Sequence, residues 1–171
     1  APAITSNGGG AGAAVSIAEN TTAVTTVAAT DVDVPTTLTY AIVGGADAAL
    51  FTIDLNTGAL AFLAARDFEA PADVGGDNVY DVTVRASDGT LFDDQAIAVT
   101  ITPVNDNTPV ITSNGGGANA AVSLAENTTA ITTVTATDTD LPAQTLTYTL
   151  VGGADQALFT VDLNTGVLAF L

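Results

Sequence analysis

Apolar residues in this chain recur at every second position in short runs, and polar or glycine-rich breaks separate the runs. A period of two sends alternate side chains to opposite faces of an extended strand, and no competing period near 3.6 is present. In the first hundred residues the alternation predicts seven strands, near 14–18, 23–29, 37–42, 51–53, 59–63, 79–86 and 94–102. Asn56-Thr57-Gly58 and Asp88-Gly89 predict tight turns, since Asn and Gly tolerate positive φ. Phe51, Leu60, Phe62, Tyr80, Val82, Val84, Ile97, Val99 and Ile101 hold the inward alternations and are the expected core. So many short strands in so short a stretch predict an all-β fold, a seven-stranded antiparallel β-sandwich.

The pattern is then written a second time. Residues 2–30 match 109–137 at an offset of 107, differing only at Ala3/Val110, Gly12/Asn119, Ile17/Leu124, Val24/Ile131 and Ala28/Thr135. From Tyr40 and Tyr148 onward the offset is 108, so one residue is inserted near Ala143-Gln144. A period of that length suits a small domain and is too long for a solenoid unit. The expected organisation is a complete repeat over 1–108, a linker over 103–109 bounded by prolines, and a second repeat over 109–171 that lacks its last two strands. The third strand of that repeat, near 145–150, is expected to lose its neighbour and to leave an apolar interior open. Such an edge pairs with whatever is available. The chain is therefore read as an excerpt of a longer array or as one part of a strand-complemented assembly.

Charge narrows the partners. There are 19 Asp and Glu against 2 Lys and Arg, no His, and a net charge of −17. Nucleic acids and anionic membrane surfaces are poor partners for such a chain. No apolar run reaches the length of a membrane-spanning helix, and membrane insertion of this segment is not expected. With 47% hydrophobic residues the chain is not a disordered acidic tail, and without Cys it has neither disulfides nor thiolate chemistry.

The acids occur in ordered motifs. Glu19-Asn20 follows the first long strand, and Ala29-Thr30-Asp31-Val32-Asp33 follows the second. Phe51-Thr52-Ile53-Asp54 and Thr57-Gly58-Ala59-Leu60 lie in the middle, followed by Asp67-Phe68-Glu69. Arg85-Ala86-Ser87-Asp88-Gly89 and Asn105-Asp106-Asn107-Thr108-Pro109 complete the set. Scattered carboxylates and amide oxygens of this kind suit a hard cation such as calcium if folding gathers them. Asp47, Asp54, Asp155 and Asp162 read as turn residues. Asp73, Asp77, Asp93 and Asp94 fall in expected loops and match no ligand motif.

Taken in order, these motifs resemble the cadherin repeat, most closely its bacterial cadherin-like form. The resemblance implies a Greek-key, immunoglobulin-like sandwich in tandem, with Ca2+ held between consecutive repeats. Carried over motif by motif, it assigns one junction to Glu19, Asp67, Glu69, Val104, Asn105, Asp106, Asn107, Asp138 and Asp140. Val104 and Asn107 would act through their carbonyls. Asp31, Asp33, Asp88 and Glu126 would be half-sites that neighbouring repeats complete. The family usually carries an Asp where Pro103 stands, so one ion is expected to have fewer protein ligands.

The resemblance implies a non-enzymatic adhesive or structural module, stiffened by calcium into a stalk or filament. Its expected place is extracellular, secreted or at a bacterial cell surface, and its expected partners are neighbouring repeats or other copies of itself. Two alternatives are a homophilic or glycan-binding adhesin domain and an accessory domain of a secreted enzyme. Against the last, Asp67 and Glu69 have no His, Cys or Lys beside them to form a nucleophile system. Asn20-Thr21-Thr22 and Asn127-Thr128-Thr129 fit the N-glycosylation sequon.

Overall fold

The structure, a computed structural model, describes residues 1–33 and 37–171, whose contacts fall into two units, Ala1–Val104 and Asn105–Leu171. In the first unit the strands are β1 (Ala3–Ile4), β2 (Gly12–Ala18), β3 (Ala23–Thr26), β4 (Ala29–Thr30) and β5 (Thr39–Gly44), followed by β6 (Phe51–Ile53), β7 (Ala59–Phe62), β8 (Val79–Ser87) and β9 (Phe92–Thr102). Each strand read from the alternation forms. The run near 23–29 is broken at Val27-Ala28, where hydrogen bonding changes sides: Val27 N donates to the Gly58 carbonyl, while the Ala28 carbonyl accepts from Thr5 N.

Pairing sorts the strands into a sheet of order β2-β9-β8-β5, a facing sheet β3-β7-β6 and a separate two-stranded ladder β1-β4. All neighbours are antiparallel except one: β2 runs parallel to β9, from Gly12 opposite Ala96 to Ala18 opposite Thr102. The glycine-rich stretch after β1 hands the chain from one layer to the other, so its second half meets β9 in the same direction. A hydrophobic pattern fixes which face a residue takes and carries no information on strand direction.

Every expected core residue is buried, and Ile4, Val27, Tyr40 and Ala86 join them. Phe51 stacks on Phe62 at 4.3 Å between centroids, and Phe62 meets Tyr80 edge-on at 5.1 Å. The Tyr80 hydroxyl leaves the core and accepts from Ala72 N at 3.0 Å. Gly58 has φ +70, and a Cβ there would run into the Val27 carbonyl, so the turn requires glycine.

Several polar positions differ from the sequence reading. Asp93 and Asp94 lie in β9, not in a loop. Asp93 accepts from Ile4 N at 2.8 Å, and Asp94 takes both arms of the Arg85 fork at 2.7 and 2.8 Å. Phe92 is exposed, and the Arg85 guanidinium covers one face of its ring at 3.5 Å. Asp47 is buried and holds two segments through its oxygens, accepting from Val74 N and Asp81 N at 2.8 Å each. Gln95 is fully buried and donates to the Gly10 carbonyl at 3.0 Å, supporting the glycine-rich loop from below.

The second unit contains β10 (Val110–Ile111), β11 (Ala130–Thr133), β12 (Ala136–Thr137), β13 (Phe159–Val161) and β14 (Val167–Phe170). Sheet β11-β14-β13 repeats β3-β7-β6 down to the same register shift, between Ala130 and Thr132 as between Ala23 and Thr25. No counterpart of β8 and β9 lies within 105–171. The residues that β8 would cover border an open groove of about 620 Å³, including Val134, Tyr148, Leu150, Val161 and Leu168.

Candidate metal centres

Acidic side chains gather at three places, each within one unit. The first follows β2. Glu19 is buried, and its two oxygens accept separate backbone donors, Val104 N at 2.6 Å and Phe68 N at 2.8 Å. One carboxylate thus ties the end of β9 to the Asp67-Phe68-Glu69 turn. That turn closes on itself through Glu69 N, which donates to Asp67 Oδ1 at 3.0 Å. A ligand oxygen of Glu69 lies within 4.8 Å of one on Glu19. Each carboxylate oxygen has a second lone-pair direction, so these backbone bonds leave capacity for a cation.

The second group is at the opposite end of the first unit. Asp33 N donates to Asp31 Oδ1 at 2.9 Å, a local turn that sets the two carboxylates side by side. The Asp31 side chain is 1% exposed, and its Oδ2 is buried with no hydrogen-bond partner among the described residues. Asp88 interacts with Asp31. Backbone donors at Leu91 and Thr90 hold the Asp88 carboxyl below its ordinary value. The Ala1 ammonium lies against Asp31 Oδ1 at 3.4 Å and Asp33 Oδ2 at 3.2 Å, and the Asp33 contact raises its pKa. An orphaned buried carboxylate oxygen beside further carboxylates, all with oxygen donors only, fits a hard divalent ion.

The third group is at the start of the second unit. Asp140 N donates to Asp138 Oδ1 at 3.1 Å, the same turn as Asp31-Asp33. Asp140 is 1% exposed. Its Oδ1 accepts from Asn107 N at 3.0 Å and Asn107 Nδ2 at 2.7 Å, and its Oδ2 accepts from Gln144 Nε2 at 3.3 Å. Burial pushes the Asp140 carboxyl up, but the Asn107 and Asp106 hydrogen bonds together outweigh it and hold the group below its ordinary value. Asn107 Nδ2 also reaches Asp106 Oδ1 at 3.1 Å, and Asn105 Nδ2 donates to Gln144 Oε1 at 2.6 Å.

The folded units thus bring together Glu19, Asp67, Glu69 and Val104; Asp31, Asp33 and Asp88; and Asn105, Asp106, Asn107, Asp138 and Asp140. Glu126, the counterpart of Glu19, is exposed. Its counterpart's two backbone donors, Phe68 N and Val104 N, belong to segments that 105–171 does not repeat. Gln144, hydrogen-bonded to both Asn105 and Asp140, belongs to this third group and was missed by the motifs. The one signal for it was the single-residue insertion near Ala143-Gln144.

No family model matches the chain. Against curated proteins it is 30% identical over 142 residues to Protocadherin Fat 1 of Homo sapiens, covering 79% of this chain and 3% of that protein. It is 32% identical over 158 residues to Cadherin-16 of Oryctolagus cuniculus, covering 82% of this chain and 18% of that protein. The chain therefore spans a small part of the length of these relatives. Among solved structures, human Protocadherin-24 EC1-2 superposes with a TM-score of 0.68 at 22% identity, covering 99% of this chain and 78% of that one. The human Desmocollin-1 ectodomain gives 0.67 at 24%, covering 100% and 34%.

Proposed function

The chain is a cadherin-like repeat protein, and on that premise we propose that it is a calcium-stiffened adhesive or structural module of an extracellular tandem array. The observation that carries this reading is the pair of buried carboxylates, Glu19 and Asp140, each bonded to linker or strand-end backbone and each next to further oxygen donors. Residues of the first unit would supply Glu19, Asp67, Glu69 and the Val104 carbonyl. Residues of the second would supply Asn105, Asp106, the Asn107 carbonyl, Asp138 and Asp140. Bound calcium would provide the positive charge that lets these carboxylates converge. Because the ion binds the ordered junction and not the loose one, loading is coupled to order.

The chain's own residues prepare for this without metal. Glu19 fixes where β9 ends, Asp138 and Asp140 are set side by side by their turn, and Asn107 ties the linker to Asp140. The role is non-enzymatic and mechanical: it holds neighbouring repeats in line. Extracellular calcium modules bind at about 10⁻⁴–10⁻³ M, so ambient calcium would keep such a junction loaded. The test is small-angle scattering and thermal melting with about 5 mM calcium, several-fold above the weak end of that range, and with chelator. Calcium is expected to lengthen the maximum dimension and raise the melting temperature. Superimposable curves would end the reading.

A further inference from the structure

We propose that Gln144 orients the side-chain amide of Asn105, so that Asn105 offers its oxygen and not its nitrogen to a cation. This rests on the calcium reading above and adds a positioning residue to it. The argument follows donor and acceptor polarity. An ionised carboxylate only accepts, so the group that Gln144 turns toward Asp140 Oδ2 must be its amide nitrogen, at 3.3 Å. That places Gln144 Oε1 on the opposite side of the amide, and Oε1 accepts from Asn105 Nδ2 at 2.6 Å. Asn105 has then committed its nitrogen to Gln144, and its Oδ1 faces the other way.

Neither amide can flip alone without cost. Turning Asn105 over sets its oxygen against Gln144 Oε1. Turning Gln144 over sets its oxygen against the Asp140 carboxylate. The buried Asp140 is itself fixed by Asn107 N and Nδ2 at 3.0 and 2.7 Å, so the polarity of the relay starts from an immobile acceptor. Without it an Asn amide has two orientations of similar shape, and beside acidic groups the nitrogen-inward one competes with cation binding.

The relay belongs to the second repeat alone. Between Asp33 and Tyr40 the first repeat reads Val34-Pro35-Thr36-Thr37-Leu38-Thr39, with no side-chain amide, whereas Gln144 lies at the one-residue insertion. The insertion that breaks the repeat therefore supplies the group that orients a linker ligand.

The experiment uses the whole chain with Gln144→Met, which keeps the side chain's length and removes both polar atoms. Calcium titration by calorimetry is expected to show affinity reduced by about 10-fold, the usual size for loss of an outer-shell partner. In calcium-free protein, the Asn105 side-chain NH₂ resonances in a ¹⁵N spectrum are expected to lose their hydrogen-bonded shift. The deciding measurement is a double-mutant cycle. Asn105→Ala should weaken calcium binding strongly in the parent and much less in Gln144→Met. Equal losses in both backgrounds overturn the proposal, as does an unshifted Asn105 amide in the variant. If the parent chain binds no calcium, the calcium reading fails and the ligand role falls with it. The amide spectrum then still judges the orientation on its own.

Discussion

Residues 12–18 and 119–125 differ only at Gly12/Asn119 and Ile17/Leu124, yet the first run is strand β2 and the second is not in a strand. The same holds for β5 against its counterpart 147–152. The sheets β3-β7-β6 and β11-β14-β13, by contrast, are alike in both units. What separates the two cases is the partner. β3, β6 and β7 pair among themselves, and each unit has all of them. β2 and β5 pair only with β9 and β8, which occur once. Extended conformation in β2 and β5 is therefore conferred by the neighbouring strand, while in the other layer it is carried by local sequence and a glycine turn. Burial follows: Phe62 is 2% exposed and its counterpart Phe170 is 39% exposed.

The largest expected effect comes from giving the second unit what it lacks. A chain carrying a second copy of residues 64–102 after Leu171 should protect the amides of 120–124 and 147–151 by about 5 kcal/mol, measured by hydrogen exchange. Unchanged exchange there would break the comparison. Next, Phe62→Ala should cost about 3–5 kcal/mol in denaturant unfolding, and Phe170→Ala about 1–2, because its site is already open. Equal losses would mean that the two interiors are equally packed. Asp47→Ala should cost about 1–3 kcal/mol by orphaning Val74 N and Asp81 N. Asp155→Ala, at the exposed counterpart, should stay within about 0.5 kcal/mol.

The smallest effect tests likeness. Asp54 and Asp162 are both held below the ordinary carboxylate pKa, first by the backbone N–H of Thr57 or Thr165 and then by its hydroxyl. A lowered folded pKa means stabilisation that is present above the unfolded value and lost as pH falls through the folded one. Both turns should therefore loosen together below about pH 4, read from exchange at Thr57 and Thr165. Loosening of one alone would show that the turns are not equivalent.

Much of this was legible in the sequence. The strands of the first unit and its central core follow from period-two alternation, which reports directly on side-chain burial. Val27 and Ile4 were missed because they lie at a strand break and in a two-residue strand, too short for a period to register. Gln95 and Asp47 were missed because their burial is justified by backbone partners far along the chain, which no local pattern encodes. Phe92 lay outside the predicted strand and core, and the structure puts it at the surface under the Arg85 guanidinium. For the site, the acids were found by motif. The relay through Gln144 depends on amide polarity in three dimensions and left only an insertion as its trace.

The β8–β9 pair has one more consequence, for the way residues 1–171 refold. When residues 1–171 refold by themselves, two nearly interchangeable acceptors, 12–18 with 39–44 and 119–125 with 147–152, compete for the β8–β9 hairpin. Side-chain chemistry barely distinguishes them, so the choice falls to chain connectivity. In refolding from denaturant, hairpins captured by the wrong half would register as a slow, self-competing population.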